Sequence, residues 1–132
     1  MIVIDASVLA NAVADDGAAG RLARARLTAA GDVAVPDLAD IETISVLRRR
    51  WLSGDLAARR FRSAVEDLLA LPLARFPTGP FMPRAYELRA NVTPYDASYV
   101  ALAEGLSCTL LTADARLARA PNLRCPVEVL TA

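Results

Sequence analysis

The sequence predicts an α/β fold: a central parallel sheet of four to five strands with helices layered on its faces as an α/β/α sandwich. Two observations carry that prediction. Strand-like runs alternate with helix-period stretches along the whole chain, the pattern of successive β–α–β crossovers. Two of those runs, at 2–5 and 107–112, are continuously apolar, as central parallel strands covered on both faces must be. At 132 residues and 55% hydrophobic, the chain suits one domain over 1–132 with a core of its own.

The elements follow in order. Met1-Ile-Val-Ile leads into the strand at 2–5, and helix patterns occupy 7–13 and 18–30, with Gly31 placed to end the second. A strand at 32–36 precedes helices at 37–53 and 55–71, separated by Gly54. After a strand at 73–76 and a helix at 80–91, Thr93 suits an N-cap and Pro94 a first helical position for the helix at 94–105, with Gly105 at its end. The strand at 107–112, a short helix at 114–119 and a strand at 126–130 complete the chain. No apolar stretch reaches the 18 residues that a membrane span requires, and the N-terminus reads as a core strand instead of a signal peptide, so a cytoplasmic protein is expected. Cys108 and Cys125 lack the spacing of a zinc or redox motif and read as small buried residues, neighbours without a required disulfide.

Two absences narrow the chemistry. The chain has no histidine, which removes Ser-His-Asp and Cys-His mechanisms and imidazole as general base. All 15 basic residues are arginine, so Walker A and Schiff-base lysines are absent too. Those arginines are balanced by 15 acids, so no global field draws the protein to nucleic acid. Reactions must run on carboxylates, hydroxyls, arginine, backbone or a metal.

Four acids stand where acids should be scarce. Asp5 ends the first apolar strand and Asp114 follows the fourth, both at carboxyl ends, where open parallel sheets form their sites. Glu42 shares a helix row with Leu38 and Val46, and Asp96 sits at the third position of the helix beginning at Pro94. Each has a structural alternative. Asp5 and Asp114 suit helix caps, Thr93-x-x-Asp96 resembles a capping box, and Glu42 could reach water or pair with Arg49. Ser7, Asn11 and Thr112 lie close enough in sequence to orient an acid or a water. Converging, the four carboxylates would need compensation, which a hard divalent cation supplies through oxygen ligands. Such ions drive phosphodiester hydrolysis without histidine.

Met-Ile-Val-Ile-Asp5-Ala-Ser7, Pro36 followed by Glu42 and Leu47-Arg48-Arg49, Pro94-Tyr95-Asp96-Ala-Ser-Tyr-Val-Ala-Leu-Ala, and Leu111-Thr112-Ala-Asp114-Ala-Arg-Leu together resemble a PIN-domain ribonuclease. The nearest subgroup is the VapC toxins of VapBC toxin–antitoxin systems. The resemblance covers essentially the whole chain. It implies a compact PIN-like fold, endoribonuclease activity dependent on Mg²⁺ or Mn²⁺, a VapB-type antitoxin that covers or enters the active site, and a homodimer. It puts the family's acids on Asp5, Glu42, Asp96 and Asp114, its hydroxyls on Ser7 and Thr112, and its surest metal ligands on Asp5 and Asp96. The resemblance further implies that Asp114 and Glu42 coordinate directly or through water. The chain departs from many relatives in carrying Ser45 where they have asparagine.

The arginines at 48–50 and 59, 60 and 62 read mostly as solvated helix faces, though the first cluster extends the helix of Glu42 and suits an RNA backbone. Trp51 and Tyr95 are candidates to stack on bases, with core packing the simpler role for Trp51. The amphipathic run from Asp55 suits either core packing or a groove for an antitoxin helix. Three other activities fit parts of the pattern. A non-catalytic receiver-like module has an acidic pair at Asp15-Asp16 but no receiver lysine. An acid phosphatase would use Asp5 but lacks the second aspartate at Ser7. A housekeeping RNA-processing PIN nuclease would share the site but not the antitoxin.

Overall fold

Five short strands make one wholly parallel sheet: β1 (Ile2–Ile4), β2 (Val33–Pro36), β3 (Leu73–Phe76), β4 (Thr109–Thr112) and β5 (Val127–Val129). The computed structural model describes residues 1–132. The strand order is β3-β2-β1-β4-β5, which puts β1 at the centre, Ile2 lying between Val33 and Thr109. Composition tracks position. All of β1 is buried and Leu110 and Leu111 of β4 have no exposure, whereas the edge strands β3 and β5 are only partly covered. The edges carry charge that deters pairing with another sheet. Arg75 of β3 bonds Asp40 at 2.8 Å, and Glu128 of β5 bonds Arg26 at 2.7 Å.

Seven helices join the strands: α1 (Ala6–Ala14), α2 (Ala18–Ala30), α3 (Ala39–Leu52), α4 (Ala58–Ala70), α5 (Met82–Glu87), α6 (Pro94–Gly105) and α7 (Ala115–Ala118). The crossovers from β1 to β2 to β3 run one way along the sheet, and the return through α6 to β4 runs the other. Right-handed crossovers in opposite directions place their helices on opposite faces. α1 accordingly packs with α2, α3 and α4, while α6 lies over β1, β2 and β4, giving the expected three layers. α6 is sealed on almost every side from Ala97 to Ala103, which is why its sequence shows little amphipathicity.

The departures from expectation are local. The helix predicted from 55 starts at Ala58, because Gly54 turns the chain with φ +86° and the amides of Asp55 and Leu56 fold back onto the Arg50 carbonyl. The helix predicted at 80–91 divides into a 3₁₀ turn at Gly79–Phe81 and the short α5, since Pro80 and Pro83 cannot supply interior amide donors. Past the end of α6 the left-handed residue is Ser107, with φ +52°, not Gly105. Cys108 and Cys125 precede β4 and β5 as free, partly buried thiols; burial raises both, Cys125 to about 11. Trp51 is a correction: it is 44% exposed, lying in the last turn of α3 beside the likewise exposed Leu52, with its indole tilted against Phe61 of α4.

Gly20 marks the tightest helix contact. A Cβ there would stand 1.7 Å from the carbonyl oxygen of Asp15, a backbone atom with no rotamer to yield. Gly20→Ala is expected to lower stability by about 1–3 kcal/mol, the usual cost of overpacking. Thermal unfolding followed by circular dichroism measures it, and an unchanged midpoint would contradict this packing.

Candidate active site

The sheet order reverses beside β1. Chain leaving β1 heads toward β2 and chain leaving β4 heads toward β5, so the two loops diverge and open a crevice at the strands' carboxyl ends. Asp5 is the first residue after β1, and its amide still donates to the Leu111 carbonyl at 3.1 Å, so the acid stands on the rigid end of the sheet. Thr112 ends β4 and Asp114 follows two residues later.

Asp5 is 5% exposed and serves as the cap of α1 while facing the crevice. Its Oδ1 accepts from the amides of Ser7 at 3.1 Å and Val8 at 3.2 Å and from the Ser7 hydroxyl. Its Oδ2 accepts from the Thr112 hydroxyl. Both hydroxyls are themselves held. Ser7 Oγ accepts from the Ala113 amide and Thr112 Oγ1 from the Asp114 amide, each at 3.0 Å. Ser7 and Thr112 therefore tie the ends of β1 and β4 together through one carboxylate. Burial pushes the Asp5 carboxyl above its ordinary value, and these hydrogen bonds only partly offset it.

The helix-borne acids reach the same crevice. Thr93 caps α6 and accepts from the Asp96 amide at 3.2 Å, the backbone half of the expected capping box. The Asp96 carboxyl lines the cleft and is raised first by burial, then by the charges of Asp5 and Asp114. Glu42, in the first turn of α3, is raised by burial, then by Asp96 and Asp5. Its Oε1 accepts a long hydrogen bond of 3.4 Å from the hydroxyl of Tyr99, a fully buried residue. Asp114 differs. It caps α7, accepting from the Arg116 amide at 2.9 Å, and the Arg116 guanidinium at 3.2 Å holds it below the usual carboxylate range.

All four acids, with Ser7, thus line one open cleft of about 600 Å³. Asp5, Glu42 and Asp96 have no ion-pair partner, and each is raised by burial, Glu42 and Asp96 also by the neighbouring acids. Acids raised in this way without a cationic partner are ones that a nearby positive charge would stabilise. Their hard oxygen donors fit Mg²⁺ or Mn²⁺. The four acids share this cleft, but no three ligating side chains are drawn together into a tight cluster. Asp5 is held by its cap and hydroxyl bonds and Asp114 by Arg116, so neither swings freely. A small cation that keeps several waters and is held by one or two carboxylates plus phosphate oxygens is consistent with that spacing.

Other predicted participants are engaged by different partners. Asn11 accepts from Arg50 at 2.8 Å and pins α1 to α3, away from the acids. Arg49 lines the cleft but bonds Ser45, at 3.3 Å, in place of Glu42. Arg60 pairs with Asp16 at 3.1 Å and Arg62 with Glu66, so that cluster belongs to the outer helix surface. Asp15 and Asp16 sit at the end of α1 remote from Asp5. Two participants escaped sequence reasoning. Tyr99 follows Asp96 by three residues on one helical face, where a phenol in an apolar run signals a buried hydrogen-bond partner. Arg116, two residues after Asp114, had no such signal.

Residues 2–123, a span containing the four acids, match the PIN domain family. The chain is 42% identical over 130 residues to ribonuclease VapC9 of Mycobacterium tuberculosis, covering 98% of each protein. It is 40% identical over 129 residues to ribonuclease VapC1 of the same organism, covering 97% of this chain and 96% of that one. Among solved structures it resembles Mycobacterium tuberculosis VapC20, a sarcin–ricin-loop-cleaving toxin, with a TM-score of 0.69 at 19% identity over 90% of this chain and 94% of that one. It also resembles Rickettsia felis VapBC2 bound to a promoter DNA fragment, with a TM-score of 0.68 at 16% identity over 99% of this chain and 100% of that one. At those identities the two structures speak to the fold alone.

Proposed function

Because this chain belongs to the PIN-domain family, we propose that it is a VapC-type endoribonuclease, the toxin of a toxin–antitoxin pair, hydrolysing RNA phosphodiester bonds with Mg²⁺ or Mn²⁺. The observation that carries the reading is the trio Asp5, Glu42 and Asp96. These are buried or half-buried acids without a cationic partner, at the reversal point of a parallel sheet. Asp5 and Asp96 would hold the ion, with Glu42 and Asp114 reaching it directly or through water. When bound, the ion supplies positive charge that polarises a phosphoryl oxygen and makes water a stronger nucleophile.

The protein's own groups set the geometry. Ser7 and Thr112 fix the rotamer of Asp5, and the Tyr99 hydroxyl steadies Glu42. Arg116 pairs with Asp114, holding its carboxyl below the usual carboxylate range, and its charge also acts on Asp96. Arg49, on the α3 wall of the cleft, suits contact with an RNA phosphate.

A VapB-type antitoxin is the expected protein partner, as the toxin–antitoxin complex among the similar structures supports. The exposed Trp51–Phe61 contact, with ring centroids 6.3 Å apart, adds an apolar surface between α3 and α4 that suits an amphipathic antitoxin segment. The chain is proposed to act in the cytoplasm as a homodimer of single PIN-like domains. No helix is long and apolar enough to cross a membrane.

The test is cleavage. Purified protein is expected to cut structured RNAs with Mg²⁺ or Mn²⁺ and to stop when EDTA is added. Cleavage that continues in EDTA would refute the metal requirement, and no cleavage of any RNA would refute the nuclease reading.

A further inference from the structure

The wall of the acidic cleft carries a feature that metal chemistry does not use. Ile41 and Tyr95 line the same cleft as the four acids, yet they are 76% and 62% exposed. Each directly precedes an acid, Ile41 before Glu42 on α3 and Tyr95 before Asp96 on α6. Successive helical residues are about 100° apart, so an acid on the cleft floor places its predecessor on the flank. Leu38 and Val46 extend the apolar surface on the α3 side. The cleft is thereby divided into an acidic floor and an apolar, aromatic rim.

Tyr95 is also mounted rigidly. Pro94 fixes the backbone ahead of it, and the Ser98 hydroxyl donates to its carbonyl at 2.6 Å, locking the first turn of α6. A phenol on a fixed backbone loses little entropy when a flat ligand stacks on it. On the α3 side, Arg49 offers a guanidinium to a neighbouring phosphate. An acidic floor, an aromatic wall and a cation at the mouth match the parts of one nucleotide unit: scissile phosphate, base, next phosphate.

We propose that Tyr95 forms a base-stacking subsite, with Ile41 as its apolar counterpart, that holds an unpaired nucleotide next to the scissile phosphate. The proposal rests on the ribonuclease reading above and deepens it. Stacking is tolerant of base identity because every base has a π-face, and it demands that the nucleotide leave a duplex. The site therefore selects single-stranded loops over helices while tolerating any base.

The test uses the full chain, Mn²⁺ and an unstructured RNA oligonucleotide carrying an abasic ribose at each position in turn. Stacking of this kind is worth about 1–3 kcal/mol per base, so Tyr95→Ala should raise KM by about tenfold and leave kcat within about twofold. Tyr95→Phe should match wild type. For the wild type, one abasic position beside the cut should raise KM by a similar factor, and Tyr95→Ala should be indifferent to it. Fluorescence anisotropy of the same oligonucleotides should show the same losses in affinity. The subsite is overturned if Tyr95→Ala cleaves with wild-type KM or keeps its sensitivity to every abasic position. It is also overturned if the substitution changes only dimer mass or antitoxin binding, which would make the rim a protein contact. Absence of cleavage and RNA binding by the wild type overturns the ribonuclease reading and the subsite with it. Wild-type cleavage with unaltered Tyr95→Ala kinetics overturns the subsite alone.

Discussion

Asp5→Asn and Asp96→Asn are each expected to lower the rate of RNA cleavage by at least about 100-fold, since even the groups that orient metal ligands are worth 10–100-fold. The two substitutions separate chemistry from folding. Asparagine caps a helix about as well as aspartate, so Asp5→Asn should keep the bonds from the Ser7 and Val8 amides. It also removes a buried charge. The unfolding midpoint should stay level or rise while activity falls. Ser7→Ala and Thr112→Val, which delete the hydroxyls bonded to Asp5, should lose an intermediate factor of about 10–100. The readout is kcat from initial rates beside thermal unfolding of each variant. An Asp5→Asn protein retaining half of wild-type activity would remove Asp5 from the mechanism.

The second large effect is stabilisation by the ion itself. At neutral pH, Mg²⁺ or Mn²⁺ at about 100 times its dissociation constant should add about 2.7 kcal/mol, roughly a 10 °C rise in midpoint for a chain of this size. The metal-free protein should respond to pH in the opposite sense to ordinary acid denaturation over one window. Asp5, Glu42 and Asp96 all have folded-state values raised above their unfolded ones. In that interval the folded state binds more protons than the unfolded state, so stability is fullest below the unfolded values and is lost as pH rises through the folded ones. Asp114, with a lowered value, works in the usual sense at more acidic pH. Calorimetric scans from mildly acidic to neutral pH, with and without Mn²⁺, should show the metal's benefit shrinking as pH falls. A midpoint indifferent to Mn²⁺ at neutral pH would sink the cation site. So would an equal rise in Asp96→Asn.

Much of the fold was legible because burial writes itself into composition. β1 and β4 are continuously apolar because each is paired on both edges and covered on both faces, and both were placed within two residues of their ends. Thr93 and Pro94 mark the start of α6 because capping is local chemistry. The misses share a cause. Trp51 was expected to pack in the core, but an indole's burial depends on how far a helix projects beyond its neighbours, which no local pattern records. Asn11 stood near the acids in sequence, yet helix phase sent it to Arg50.

The same division runs through the site. The sequence by itself determined the types of chemistry: without histidine or lysine, four acids at strand ends and helix starts left few alternatives to metal-assisted hydrolysis. It also determined that Asp5 and Asp114 lie on one edge of the sheet, since parallel strands all end on the same side. Only the tertiary structure decided how the acids differ. Asp5 is buried at the cleft floor and wired to two hydroxyls, Glu42 and Asp96 are raised by burial and by neighbouring acids, and Asp114 is paired with Arg116. Those differences arise from desolvation and from the distances between charges far apart in sequence. Both are properties of the packed chain, set by where α3 and α6 deliver their first turns.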